Sequence, residues 1–447
     1  MKKIGFGILT LLAVGLIYYF TTGEKLITNK MKVLVNQELL MVEKSGFSIK
    51  ERKIKEKKEH FIISFDDATK IKSFFEKQGE SLSIEDAKSL VGLKVGVDLK
   101  YLSKAFSAVS ADIYPLNLPN EITFSQNIDD KEKIVVTHLN DMLKRKAILL
   151  HIDFNKLLTS FKGHIKDIHE SIKLEHLVNL DAVGMTFKGD IKNDRLTSTS
   201  NSIKNISLTS GDDLNLSLTN MQSTYKLTGD TIYDSNYNYT IDSIKVMGKE
   251  DSRVTLIDLT KIDGKNITSV KNNLASNLGE VVISNIKYEK GRFKTELIDS
   301  SFVFNLTNLD MNILKKLETI DVENETEINT LTQELISKGI TIEVPKLEVK
   351  KLHYLGKEID AFKITSSLSI KKSANLLLIE ENPFAIFDVI DTKTRVAISN
   401  DLFTIIAQQP QALLFAMMIK AQNIDGKKVY ELELKNGKFL VNGKPIM

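Results

Sequence analysis

Cysteine and tryptophan are both absent from this chain, and each absence removes a class of function. Without a thiol there is no disulfide framework, no thiolate metal site, no cysteine nucleophile and no lipidated cysteine to act as an anchor. Without tryptophan, and with aromatic residues at only 7%, a carbohydrate-stacking groove would rest on Phe and Tyr alone. The charge is nearly balanced, +3 over 447 residues, so no global field draws the chain to nucleic acid. Neither an RNA-binding aromatic motif nor a zinc-finger spacing occurs.

Catalytic signatures are equally scarce. Seven histidines are present, and only His164, His169 and His176 cluster, among Asp167, Glu170 and Glu175. They lack HExxH or paired i, i+4 spacing, so they read as surface histidines and not as metal ligands. There is no Gly-x-Ser-x-Gly elbow, and Ser369-Ile370-Lys371-Lys372 matches Ser-x-x-Lys without its Lys-Thr-Gly companion. Gly184 to Gly189 lacks the lysine that completes a phosphate-binding loop. Acidic pairs at Asp66-Asp67, Asp129-Asp130 and Asp212-Asp213 stand in turn-like polar contexts. These residues specify no catalytic, cofactor or metal site.

What is present begins with Ile4 to Phe20, an uninterrupted apolar stretch behind Lys2 and Lys3. At about 1.5 Å per residue it makes a helix of roughly 25 Å, enough to span with snorkelling lysines and Thr21 and Thr22 continuing the turn. A cleaved secretory signal is the alternative, since Ala13-Val14-Gly15 resembles a cleavage site. Cleavage there would leave Leu16 to Phe20 as an apolar terminus, whereas retention completes the span, so retention is the reading taken. Lys2 and Lys3 face Lys25, Lys30 and Lys32 with Glu24 across the span, and charge alone barely sets orientation. A short terminus, one span and a large body look like an uncleaved export signal, which puts the body outside the cytoplasm.

The expected fold is α+β, mostly antiparallel β: one N-terminal transmembrane helix, then a long β-meander body with peripheral helices. Apolar positions Ile27, Met31, Leu34, Val35 and Val42 at three-and-four spacing predict a stalk helix ended by Gly46. A charged hairpin over Phe47 to Phe65 follows, then helices at Asp67 to Gln78 and Ser83 to Leu90. Period-two alternation from Ile148 to Phe304 predicts half-buried strands, with turns at Ser210-Gly211-Asp212, Thr228-Gly229-Asp230, Asp263-Gly264 and Lys290-Gly291. Strings such as Leu216 to Asn220, Val282 to Ile286 and Phe304 to Leu309 resemble one another without a fixed period. Helices are expected at Leu309 to Ile320, Glu325 to Lys338 and Asp401 to Ile419, and strands at Ile340 to Val349 and Phe362 to Ile370. Asn436-Gly437 and Asn442-Gly443 mark closing hairpins. The resulting divisions are an anchor at 1–22, a stalk at 23–45, an α+β region at 46–147 and a β body at 148–310. A helical connection at 311–339 and a β/α region at 340–447 complete the chain.

Two surface features are candidates for lipid or anionic contact. Lys50, Arg52, Lys53, Lys55, Lys57 and Lys58 lie close to the anchor, where each basic residue attracts anionic head groups by about 1 kcal/mol. A solvated hairpin face is the plainer account. Leu413, Leu414, Phe415, Met417 and Met418 form an adaptable apolar run suited to an acyl-chain groove, with ordinary core as the alternative.

The anchor, the string Gly339-Ile340-Thr341-Ile342-Glu343-Val344-Pro345-Lys346-Leu347 and the ending from Leu432 to Ile446 resemble the YdgA-like family of Gram-negative inner-membrane proteins. The resemblance covers the anchor and the last hundred residues or so; elsewhere it is one of character. It implies a single-pass inner-membrane protein with a periplasmic body, an unassigned function and self-association, and it carries no catalytic residues across. A fainter likeness to AsmA-like envelope proteins, whose long sheets are thought to carry lipid, is one of architecture alone. The expected function is therefore a non-enzymatic, membrane-anchored envelope protein presenting a β surface or groove to lipid or another envelope component. A homo-oligomeric scaffold and an envelope hydrolase are the alternatives.

Overall fold

The computed structural model describes residues 32, 35–36, 39–40, 42–77, 82–102, 108–120, 129–192, 195–229, 231, 233–250, 253–319, 324–409 and 419–445. Ile4 to Phe20, and the run from Leu413 to Met418, lie outside them. Two compact units divide the chain, Met1–Asp212 with Thr219–Tyr225 and Asp213–Leu218 with Lys226–Met447. Both are mostly antiparallel β, as the alternation of the sequence predicts.

In the first unit, strands β1 (Phe47–Ile54), β2 (Lys58–Phe65), β3 (Lys94–Tyr101), β4 (Val109–Pro115), β5 (Leu150–Phe154) and β6 (Ser160–Ile165) pair in chain order. Strand β6 then pairs β9 (Met185–Lys192), whose other edge meets the first half of β10 (Arg195–Ser210). The second half of β10 pairs β8 (Leu177–Val183), and β8 pairs β7 (Ile168–Lys173). One long strand thus serves two short ones, which meet at Gly184, whose φ of 66° and amide bond to Asp167 Oδ1 (2.8 Å) make the corner.

Alternation puts Phe61, Val95, Val97, Leu99, Ile113, Ile152 and Phe154 on one face, all buried in a single core. Helix α1 (Ala68–Lys77) adds Ile71 and Phe75, and α2 (Ile84–Ser89) adds Ala87. Helix α2 starts at Ser83, whose Oγ accepts from the amide of Asp86 (3.0 Å). The described residues of the expected stalk are helical up to Lys44, and Val35, Leu39 and Val42 are part of the same core. They cover the sheet and do not stand away from it.

Helix α3 (Asp130–Lys144) has no counterpart in the sequence reading, which placed Asp129-Asp130 in a turn. Asp129 is in fact its N-cap, in a complete capping box with Glu132. The helix is tied to β7 where His138 and Arg145 both reach the buried carboxylate of Glu170, each at 2.9 Å.

After β11 (Leu214–Leu227), whose residues divide between the two units, the second unit's β12 (Ser235–Glu250), β13 (Arg253–Lys271), β14 (Leu274–Lys290), β15 (Phe293–Asp310), β16 (Thr341–Tyr354), β17 (Lys357–Ile370) and β18 (Ile390–Ser399) form a meander of long strands. Strand β18 continues to β20 (Lys427–Lys435), which also pairs the short β19 (Gln422–Ile424) and β21 (Lys438–Val441). Helices α4 (Met311–Thr319) and α5 (Glu325–Ile336) fill the link between β15 and β16. Helices α6 (Leu376–Glu381), α7 (Ile386–Val389) and α8 (Asn400–Ile406) flank β18 in the chain.

The expected turn at Asp263-Gly264 does not exist: both residues lie inside β13. Gly264 is there for a different reason, since a Cβ at this position would fall 2.0 Å from the ring of Tyr239 on β12. The ring lies over the glycine, a cross-strand packing device and not a turn. Pro345, which cannot donate to a ladder, coincides with a register shift in β16 between Val344 and Leu347.

Candidate functional site

The second unit carries an interruption that no periodicity reveals. At Asp242, Lys261, Ser284, Asp299 and Lys350, one residue on each successive strand drops out of the paired register. Lys261 and Asp299 take left-handed backbone (φ 52° and 53°), and Asp299 pairs with Lys350 at 3.1 Å.

Apolar rows flank this line on both sides. One runs Ile241, Ile262 and Ile283, is interrupted by Ser300 on β15, and resumes with Val349, Phe362 and Ile398; the other runs Ile244, Leu259, Ile286, Leu297, Leu352 and Ile359. The rows are three residues apart along each strand, an odd spacing that puts side chains on opposite faces of a regular strand. The interruption turns the chain, so that Val349 and Phe362 of the first row join Leu297, Leu352 and Ile359 of the second in one cluster.

Further rows extend the same face, with Val246, Ile257, Tyr288 and Tyr354 on one side and Val281, Phe302, Leu347 and Ile364 on the other. At about 4.8 Å between neighbouring strands, the face crosses roughly 30 Å from β12 to β18. Leu402, Ile405 and Ile406 of α8 pack on part of it, near Val349 and Ile359. At β12 and β13 Ile241 and Ile262 are also buried, while Val246, Ile257 and Phe302 keep 37–38% of their surface in solvent.

The opposite face is built from charge. Directly opposed residues Lys245, Asp258, Lys287, Glu296, His353 and Glu358 alternate in sign across six strands. His353 bonds Glu358 (2.8 Å) and Glu296 (3.2 Å), and Lys351 pairs Asp360 at 2.9 Å. The hydrogen bond to Glu358 raises the His353 pKa above the ordinary imidazole value, against desolvation and with Glu296 adding to it. One side of this sheet therefore suits water and the other does not.

The basic hairpin is partly committed to structure. Arg52 donates from Nε to Glu59 Oε1 (2.7 Å), whose fully buried carboxylate also accepts from Tyr101 Oη (2.8 Å). Burial, together with the bond to Glu59, pushes the Tyr101 phenol far above its usual range. Lys50 faces Ser64 and Asp66, at 3.5 and 3.9 Å. Lys53, Lys55, Lys57 and Lys58 are exposed around the turn.

The first unit also has an ordered polar face. His60, Asp98, Asp112, His151 and His164 stand directly opposite one another across β2 to β6. Asp98 meets His60 (2.7 Å), Tyr114 (2.9 Å) and Lys146 (3.3 Å), and Asp112 meets His151 (2.5 Å) and Lys100 (3.1 Å). Burial works to raise both acids, but hydrogen bonds from His60 and Tyr114 on Asp98, and from His151 and Lys100 on Asp112, outweigh it and hold both below the usual carboxylate range.

Ser110 Oγ lies 3.4 Å from His151 Nε2, so Ser110, His151 and Asp112 fall in the order of an acyl-transfer triad. Ser110 is held in the β4 ladder and only 4% exposed, and Asp153 also faces Nε2 at 3.6 Å. That is the geometry of a packed polar row and gives an acyl group no approach to the hydroxyl.

Of the clustered histidines, His164 lies beside His151 with ring centroids 5.1 Å apart, while His169 bonds Asp181 (2.7 Å) on β8. Among the described residues no group of acids and histidines converges to hold a metal ion. Ser369 faces Thr341 across β16 and β17, and Lys371 pairs Asp391. Among the described residues no helix is long and apolar enough to cross a membrane. No protein-family model, curated protein or solved structure matches the chain.

Proposed function

We propose that this chain is a non-enzymatic envelope protein, anchored in the inner membrane through Ile4 to Phe20, whose periplasmic second unit holds acyl chains against its apolar sheet face. One observation carries the reading: the row Ile244, Leu259, Ile286, Leu297, Leu352 and Ile359 is apolar on every strand from β12 to β17, Val246, Ile257 and Phe302 on the same face are exposed, and the reverse face alternates in charge. A soluble body gains nothing by leaving contiguous apolar surface of this extent in water, and exposed surface of this kind marks binding sites. The sequence resemblance to YdgA-like and AsmA-like envelope proteins agrees with this reading.

The experiment is site-specific photo-crosslinking in membranes. A photoreactive residue at Ile257 or Phe302 is expected to form phospholipid adducts, and the same residue at Lys287 or Lys351 on the charged face is not. Equal adduct yields on the two faces, or none on either, reject the proposal.

A second reading, association with another copy, rests on Leu377, Leu378 and Phe384, which are 56–75% exposed on α6 and the turn after it. Cysteine cross-linking from Phe384 that traps a dimer supports it, and monomers alone reject it.

A further inference from the structure

On the polar face of the first unit, Asp153, Lys162, Lys188 and Ser200 stand in one row across β5, β6, β9 and β10. Lys162 and Lys188 are direct cross-strand partners. Like charges so placed, with Cβ atoms about 5 Å apart, destabilise an antiparallel pair. No ion pair or hydrogen bond among the described residues relieves them, because the nearby carboxylates are turned elsewhere. Asp153 faces His151 Nε2 at 3.6 Å, and Asp190 accepts from Ser198 Oγ at 2.7 Å.

Above this pair is an open hollow of about 860 Å³ whose lining includes Lys156, Lys162, Lys188, Ser200, Asp153 and Asp190. Three ammonium groups against two carboxylates leave it net positive. Two features suit a phosphate. The cations of the lining are all lysines, whose ammonium groups bind phosphate as point charges. A hydroxyl at Ser200 stands next to Lys188 in the row, ready to donate to a further oxygen.

We propose that the hollow binds a phosphate group between Lys162 and Lys188, carried by a free phosphate or by a phospholipid head group. Bound phosphate converts the one repulsive pair of this row into a bridged one. The site is independent of the apolar face of the second unit and stands or falls apart from it.

The test is calorimetric titration of the full chain in detergent, at constant ionic strength, with inorganic phosphate and with monomeric dihexanoyl phosphatidylglycerol. Lys162→Gln and Lys188→Gln are each expected to weaken binding at least about tenfold. Lys188→Glu is expected to abolish binding and, because the new carboxylate faces Lys162 on one side and Ser200 on the other, to melt higher than wild type in phosphate-free buffer, which separates lost binding from misfolding. Tighter binding of the short-chain lipid identifies a head group as the source, and tighter or equal binding of inorganic phosphate identifies the free ion. Wild-type affinity in both glutamine variants, no binding of either probe to wild type, or a lower melting temperature for Lys188→Glu overturns the proposal.

Discussion

The two units use the same alternating antiparallel chemistry and reach opposite outcomes. In the first, Phe61, Ile71, Val95, Val97 and Ile152 are sealed from solvent beneath α1, α2 and the helical residues around Val35 and Leu39. In the second, Ile244, Leu259, Ile286 and Leu297 are equally aliphatic and aligned across equally regular strands, yet stay half-buried. The difference is coverage. Helices supply what a one-layer sheet cannot, a second apolar surface to pack against. Among the described residues, α8 packs on part of the second unit's face, and its strands are held by long ladders and cross-strand pairs.

The sharpest way to break this contrast is to open the sealed unit. Arg52→Ala leaves the Glu59 carboxylate buried without its cation, and is expected to cost the first unit about 3 kcal/mol. Hydrogen exchange followed by mass spectrometry, resolved for peptides of each unit, checks it: protection falls in β2 and β3 and not in β12 to β17. Next in size is Leu402→Ala, which removes the buried anchor of α8 from the covered part of the second sheet. It is expected to cost about 2 kcal/mol, visible as lost protection in β17. Ile257→Asp, on the open part, is expected to cost under about 1 kcal/mol because the side chain is already in contact with water. A loss as large as that for Leu402→Ala would show that the face is covered after all.

The smallest effect lies in pH. Asp98 and Asp112 have depressed pKa values, so their stabilisation is complete above the unfolded carboxylate value of about 3.9 and is lost as pH falls through the folded values. His353 is raised, so its contribution is complete below about 6.5 and is lost as pH rises through its folded value. The first unit should therefore weaken in acid, and the second slightly from about pH 6.5 upward. Melting curves of Asp98→Asn and His353→Gln across pH 3 to 8 check this, each variant flattening one limb only.

The contrast also explains which parts of the structure were legible in the sequence. Local signals read well: the turns at Ser210-Gly211-Asp212, Lys290-Gly291, Asn436-Gly437 and Asn442-Gly443, and the stop at Gly339 (φ 81°), all stand where turn chemistry places them. Asp263-Gly264 misled because a glycine under a tyrosine ring and a glycine in a hairpin look alike in one dimension. Helix α3 was missed although its capping residues, Asp129 and Glu132, stand at the right spacing. The apolar face was hidden more deeply, because the left-handed residues Lys261 and Asp299 shift the phase of the alternation within a strand. The opposition of Lys162 and Lys188 depends on register between β6 and β9, strands separated by two others in the chain, which no local pattern encodes.

The most direct measurement is carbene footprinting of the purified full chain with a small diazirine, before and after addition of phospholipid. Open apolar side chains label and buried ones do not. The account predicts that Val246, Ile257 and Phe302 label strongly without lipid and become protected with it, while Phe61, Val97 and Ile152 stay unlabelled in both. Labelling of the second unit that is absent at the outset, or unchanged by lipid, contradicts it.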